Sequence, residues 1–230
     1  MEDLEILNII INKMEILWHG QSCFEIRVPL NQNEKKTIVI DPFSPDYIGL
    51  KLPPLAADVL LITHQHADHN NSEAIKGDFL LVDGPGEYES GGIFVRGIPA
   101  SHGNAGKEDL GGTTIYVIEA EGIKVCHLGD FNQNELTPEQ SEAIGDVDIL
   151  MIPIGGHYTI DGAGASKIIN QIEPKIVLPM HYKLPGLKVD LKEVASFLKI
   201  MGQENIEAQP SFKIKQLGLP DEMKIVVLKP

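Results

Sequence analysis

Cysteine is scarce. The 230 residues hold two, Cys23 and Cys126, and neither belongs to a Cys-x-x-Cys pair, which argues against a thiolate metal site or a dithiol redox couple. Each sits in an apolar run, the setting of a buried reduced thiol, so a reducing, cytoplasmic compartment is expected. Long hydrophobic runs are also missing. Ile9–Ile11 and Val59–Ile62 are typical of what there is, far short of the roughly 18 residues that a membrane helix needs. The Met-Glu-Asp start has neither the basic flank nor the apolar region of a secretory signal. No membrane partner and no export are expected. Positive charge is in deficit, with 19 Lys and Arg against 33 Asp and Glu and a net charge of −14. A surface of that sign repels polyanions, so nucleic acid is not an expected partner.

What is present suits an ordinary globular chain: 43% hydrophobic and 23% charged residues, enough to bury a core without staples. No repeat, low-complexity segment or Pro/Ser-rich linker divides it, so residues 14–230 read as one domain and residues 1–13 as a short N-terminal extension. Strands are expected from Met14, over Cys23 to Val28 and over Thr37 to Ile40, an opening meander. Apolar runs at Val59 to Thr63, Phe79 to Val82, Ile93 to Ile98, Thr114 to Glu119, Ile123 to Leu128, Val147 to Ile152 and Lys175 to Leu178 continue the strands.

Helix signals interrupt them. Thr137-Pro138-Glu139-Gln140 reads as a capping box with Pro at the first helical position, and the helix should stop at Gly145. Asp190 with Glu193 repeats that logic ahead of the amphipathic series Leu191, Val194, Phe197, Leu198, Met201, and Ala165 to Ile172 is a third helix. Strands buried on both faces with few helices imply an α/β layered sandwich, two packed sheets with helices outside.

The chemistry concentrates in one place. Directly after the buried run at Val59 comes His64-Gln65-His66-Ala67-Asp68-His69, three imidazoles and a carboxylate within six residues of a chain that has eight histidines. Clustered imidazoles suit a metal ion. In an extended loop His64 and His66 point the same way and can share one ion, while Asp68 and His69 lie beyond and can serve a neighbouring one. Each ion wants roughly four to six donors, so more must come from elsewhere. His102, Asp130 and His181 each stand where a strand run gives way to a loop, the place where catalytic residues gather at a sheet edge. His127 lies inside an apolar strand and reads as a buried, hydrogen-bonded histidine. His157, in Gly155-Gly156-His157-Tyr158-Thr159, follows a buried strand on a flexible loop and is a candidate to face substrate as a proton donor or anion contact.

Asp41 after an early strand, the His64/His66/Asp68/His69 loop, the lone His102, Gly129-Asp130 and the final His181 follow the order of motifs in the metallo-β-lactamase-fold superfamily of metal-dependent hydrolases, which this chain resembles over nearly its whole length. The resemblance implies a four-layer αββα sandwich of two mixed sheets flanked by helices. It implies one ion on His64, His66 and His102, a second on Asp68, His69 and His181, Asp130 bridging them, and Asp41 behind the ligands. Asp83-Gly-Pro-Gly-Glu-Tyr-Glu, Pro153-Ile-Gly-Gly-His-Tyr-Thr and Pro179-Met-His-Tyr look like the branch that includes the L-ascorbate-6-phosphate lactonases. Where that branch usually reads Trp-x-Gly-His-Ser-x-Phe, this chain has Trp18-His19-Gly20-Gln21-Ser22-Cys23-Phe24, with Gln21 at the His position.

The expected activity is hydrolysis of a small, anionic ester, lactone or phosphoester by hydroxide held between two divalent cations, Zn first and Mn or Fe next by ligand softness. Asp68 would also orient that nucleophile or take its proton. A phosphodiesterase or nuclease, and a metal-binding module without catalysis, are the competing readings.

Overall fold

The computed structural model describes residues 13–31, 33–103 and 111–230; residues 1–12 of the expected extension lie outside them. In chain order the elements are β1 (Met14–Gly20), β2 (Cys23–Pro29), β3 (Lys35–Ile40), the single turn α1 (Pro45–Ile48), β4 (Leu55–Ala56), β5 (Val59–Leu61), β6 (Ile75–Lys76), β7 (Leu80–Val82), β8 (Gly86–Ser90), β9 (Ile93–Ser101) and β10 (Gly112–Ala120). There follow β11 (Ile123–His127), α2 (Pro138–Ile144), β12 (Ile149–Pro153), α3 (Gly162–Ile172), β13 (Ile176–Met180), α4 (Val194–Ile200), β14 (Phe212–Ile214) and β15 (Lys224–Ile225).

Two mixed sheets result, ordered β14-β1-β2-β3-β5-β7 and β15-β13-β12-β11-β10-β9-β8. Alternation sets the faces. Along β1 Met14, Ile16 and Trp18 are buried while Glu15, Leu17 and His19 are half-open, the period-2 pattern of a sheet with one face on the core. The strands β5, β12 and β13 are buried throughout, as expected of parallel strands covered on both sides. One apolar core joins the two sheets, with Ile16, Trp18, Phe24 and Ile38 from the first and Ile115, Val125, Ile149 and Leu178 from the second. The other side of the first sheet buries Cys23, Val39 and Leu60 under Ile48 of α1 and Leu55 and Ile75 of the β4/β6 ribbon. The sandwich is therefore α/β as expected, with the helical layer over the first sheet reduced to a single turn and a ribbon. Both cysteines are buried free thiols.

Two helix starts differ from expectation. The helix after Asp190 begins only at Val194. Lys192 donates its N–H to Gly155 O at 3.0 Å and accepts from Lys183 N at 3.0 Å, so residues before Val194 are held extended against a neighbouring loop, and Asp190 instead pairs with Lys183 Nζ at 2.9 Å. Tertiary pairing overrides the local signal. α3 starts three residues early, at Gly162, because Asp161 accepts from the N–H groups of Ala163 and Gly164. The capping box of α2 is present as read, and that helix ends at Ile144 before Gly145.

Most of what the fold does for function happens at strand ends. β3 delivers Asp41, β5 the His64 loop, β9 His102, β11 the Gly129-Asp130 turn and β13 His181. Among the described residues no helix is long and apolar enough to cross a membrane.

Candidate metal centre

Those strand ends bring seven side chains together in two groups. His64, His66 and His102 offer donor atoms within 4.8 Å of one another, and so do Asp68, His69, Asp130 and His181. The segment carrying the first four is turned rather than extended: the His66 carbonyl accepts from both His69 N and Asn70 N at 2.9 Å. That turn aims His64 and His66 at one group and Asp68 and His69 at the other, the division expected, by a different backbone path.

Asp130 links the groups. Its Oδ2 lies 3.3 Å from His69 Nε2, 3.4 Å from His181 Nε2 and 3.8 Å from His102 Nε2, and its carboxylate is 2% exposed. The hydrogen bonds behind these side chains set which ring nitrogen faces inward. His69 Nδ1–H donates to Asp41 Oδ2 at 2.8 Å, and His102 Nδ1–H donates to the Asp130 carbonyl at 2.9 Å. Thr63 Oγ1–H donates to Asp41 Oδ2 at 2.7 Å, leaving its oxygen to accept His64 Nδ1–H at 3.0 Å. In each case the outer partner takes Nδ1 and Nε2 is the nitrogen that faces the centre, the arrangement by which outer partners orient metal-ligating imidazoles.

The residues present fit a pair of cations. His64 Nε2 and His69 Nε2 are buried without a hydrogen-bond partner among the described residues, a state that buried polar atoms seldom tolerate without a ligand. Burial, helped by the neighbouring His69 charge, lowers His64 to about 2, so its ring is neutral and ready to donate. Burial likewise lowers His102. Burial opposes the His69 cation, but Asp130 and Asp41 outweigh it and hold its pKa well above the usual range. Burial also opposes the Asp130 carboxylate, and His181 with His69 reverses that and holds it well below. The carboxylates supply the negative charge that a cation would meet.

Backbone shape tightens the centre. Six non-glycine residues among those described have positive φ, and three stand at the site: Gln21 (48°), Asp41 (47°) and His181 (50°). Such values cost free energy and persist where surrounding structure imposes them, commonly at functional sites. Gly129 has φ 57°, and a Cβ there would lie 2.7 Å from Thr113 Oγ1 and 2.9 Å from Thr63 Cβ, so the turn before Asp130 requires glycine.

His127 is buried and hydrogen-bonded as expected: Gly129 N–H donates to its Nδ1 at 3.1 Å, leaving Nε2–H to donate to Ser22 O at 2.9 Å. His157 is exposed, packs edge-on against Tyr158 at 4.3 Å and belongs to neither donor group. Thr63, Ser22 and Gln21 were not singled out as site residues from the sequence, yet Ser22 Oγ donates to Asp130 Oδ1 at 3.3 Å and Gln21 Nε2 lies 3.4 Å from His181 Nε2. Thr63 adjoins His64 and Gln21 stands where the resembling branch has His, the two signals that could have marked them.

A cavity of about 430 Å³ opens beside His64 and His66, walled by Asp83, Gly84, Thr113 and Thr114.

An αββα-type sandwich with His and Asp at its strand ends defines a metal-dependent hydrolase of the metallo-β-lactamase superfamily. Residues 15–181 match the beta-lactamase superfamily domain, and the chain belongs to that superfamily. It is similar to a UPF0173 metal-dependent hydrolase of Thermococcus onnurineus, 30% identical over 94% of this chain and 97% of that one. A UPF0173 metal-dependent hydrolase of Thermoplasma acidophilum is 32% identical over 75% of this chain and 84% of its own. Among solved structures it resembles a Thermotoga maritima protein assigned as a Zn-dependent hydrolase of the metallo-β-lactamase superfamily, 36% identical, with a TM-score of 0.75 over 94% of this chain and 98% of that one.

Proposed function

We propose that this hydrolase cleaves a small, anionic ester, lactone or phosphoester at a centre of two divalent cations. His64, His66 and His102 would hold one cation, Asp68, His69 and His181 the other, with Asp130 between them. The observation that carries this reading is the reach of Asp130 Oδ2 to imidazoles of both groups, within 3.3 to 3.8 Å. Zn(II) suits so imidazole-rich a donor set, and the carboxylates of the second group also suit Mn or Fe. Such cations acidify water, polarise the substrate oxygen and neutralise charge that develops on attack.

The chain's own residues do the rest. Asp41 fixes His69 directly and His64 through Thr63. Burial works against the Asp68 carboxylate, yet His69 beside it outweighs burial and brings its pKa down to about 2. Asp68 is thus an anion at any working pH, fitted to orient the attacking water rather than to donate a proton. The cavity beside His64 and His66 falls within the size range of small-molecule sites. Among the described residues Asp83 is the only side chain of Asp, Glu, Lys or Arg in its lining, and an anionic substrate would meet its counter-charge at the cations. His157 would approach the substrate's leaving group from its loop. Free buried thiols at Cys23 and Cys126 support a cytoplasmic setting, and the acidic surface supports a small-molecule partner over nucleic acid.

Elemental analysis of protein purified without chelator tests this, alongside His66→Ala and His181→Ala. About two ions per chain are expected in the parent and fewer in each variant, with hydrolysis of a lactone and phosphoester panel lost on chelation and regained on adding metal. Full occupancy in both variants would overturn the assignment.

A further inference from the structure

The donor groups above consist of histidines and carboxylates, but a further polar side chain reaches the same space. Gln21 occupies the turn between β1 and β2, is 0% exposed, and carries a buried Oε1 with no hydrogen-bond partner among the described residues. Its Nε2 lies 3.4 Å from His181 Nε2. That spacing equals the 3.4 Å between His181 Nε2 and Asp130 Oδ2 and sits between the 3.3 Å from His69 Nε2 to Asp130 Oδ2 and the 3.6 Å from His69 Nε2 to Asp68 Oδ2. Two atoms bound to one cation at roughly 2.0–2.2 Å are separated by about 3 to 3.5 Å at octahedral to tetrahedral angles. Gln21 therefore stands at donor spacing from a member of the second group.

The turn is built to hold it there. Gln21 has φ 48°, a conformation that a long side chain adopts only where its surroundings impose it. Its carbonyl accepts from Trp18 Nε1 at 2.9 Å and from His181 N at 3.0 Å. The next residue is tied to the centre as well, Ser22 through its hydroxyl to Asp130 and through its carbonyl to His127. An extended strand end would turn the side chain away. A buried carboxamide with an orphaned oxygen costs free energy unless something meets it. The amide nitrogen is the atom that faces His181; the oxygen and nitrogen of a carboxamide exchange within one envelope by a half-turn about the terminal bond, which brings the oxygen to the face of His181.

We propose that Gln21 is a ligand of the second cation, giving its carboxamide oxygen to the ion held by Asp68, His69, Asp130 and His181. The proposal rests on the two-cation reading of the centre. A neutral oxygen in place of a further imidazole or carboxylate leaves that ion one donor richer without adding negative charge, which preserves its pull on substrate and water.

Metal-free protein titrated with Co(II), followed by calorimetry and by the visible ligand-field spectrum, separates the two ideas. The parent is expected to take up two ions. Gln21→Ala should keep the tighter ion and weaken the other by on the order of 10–100-fold, with a changed Co(II) spectrum that reports the lost donor. Gln21→Glu, of the same shape with an oxygen at both positions, should regain or exceed parental affinity, and it decides the matter where the alanine variant fails to fold. Parental affinity and spectrum in Gln21→Ala would overturn ligation by Gln21 and leave two-ion binding intact. Weakened affinity with an unaltered spectrum would overturn it too, making Gln21 a packing neighbour of His181. Uptake of one ion by the parent would overturn the two-cation reading and this proposal with it.

Discussion

Asp41→Asn isolates the support behind the proposed ligands from those ligands themselves. The Asp41 side chain is fully buried and accepts three hydrogen bonds: from Thr63 N–H at 2.8 Å, Thr63 Oγ1–H at 2.7 Å and His69 Nδ1–H at 2.8 Å. Asparagine keeps the shape and one acceptor oxygen but turns an NH2 group toward two of those donors. His69 then loses a charged acceptor, an interaction of about 1.5–3 kcal/mol. Its ring can recover a partner only by moving its proton to Nε2, which removes the lone pair facing Asp68 and Asp130. The second ion should therefore bind on the order of 10–100-fold more weakly, or about 1.4–2.7 kcal/mol. His64, linked to Asp41 only through Thr63, should lose less, so the first ion should hold. Competition for Zn(II) against a chromophoric chelator resolves the two affinities, and circular dichroism of the metal-free variant confirms its fold. An Asp41→Asn protein that is folded and binds both ions as the parent does would refute the claim that this carboxylate sets the tautomer of His69.

Chelation should lower the melting temperature while retaining far-UV circular dichroism: at 100 Kd of free metal, linkage contributes about 2.7 kcal/mol, and about 1 kcal/mol shifts a chain of this size by roughly 2–4 °C. In metal-replete protein Asp68→Asn should lower turnover by on the order of 100-fold or more, whereas His157→Ala should change KM or leaving-group dependence and leave metal content untouched; metal loss in His157→Ala would make that residue a ligand. His19 and Arg27 outweigh burial and hold the Glu25 carboxyl below its usual range, so its contribution to stability is complete above about pH 4.3 and lost as pH falls through the lowered pKa. Acid titration of Glu25→Gln should accordingly show a shallower loss of stability there, by under about 1 kcal/mol, and an unchanged acid limb would remove this network from the account. Deletion of residues 1–13, leaving Met14 as the start of β1, should shift the melting temperature by less than about 4 °C; a larger fall would make those residues part of the core.

The centre was legible from the sequence to the extent that its information is local. His64, His66, Asp68 and His69 lie within six residues, and His102, Asp130 and His181 follow apolar runs whose ends mark a sheet edge. Contacts made across the fold leave no such trace. Gln21 meets His181 across 160 residues and Ser22 meets Asp130 across 108, and neither residue type announces a metal site. Elements misread or unseen have the same origin. β8 is open at Glu87 and Glu89 on a sheet edge, so it lacks the apolar alternation that betrays a strand, and the start of α4 is set by Lys192 pairing with Gly155. Asp161 as a cap was hidden by the glycines after it. Yet Gly162 is where α3 and α4 meet, since a Cβ there would lie 3.2 Å from Phe197 Cα, a requirement of packing that propensity alone reads as a break.

The three left-handed residues at the centre share one consequence. Gln21, Asp41 and His181 each follow a strand end, and each is pinned by its own backbone: Gln21 O by Trp18 and His181, Asp41 N by Leu61 O at 3.0 Å, His181 N by Gln21 O. Gly155 packs so closely on His181 O that a Cβ there would come within 2.2 Å. Strain of this kind, about 1–3 kcal/mol per residue, survives only because two sheets of buried strands carry it. The positions of the donors are thus set by main chain anchored in the sheets, with little left to side-chain freedom. A centre that had to be organised by its metal would show the reverse: relaxed backbone, ligands on open loops, and partners for the imidazole nitrogens supplied by other protein groups. Here His64 and His69 turn toward the centre buried Nε2 atoms that have no hydrogen-bond partner among the described residues, and Asp130 stands between both groups. The cost of placing the donors is thus carried by the two sheets, and a cation bound at the centre would meet side chains whose main chain is already fixed.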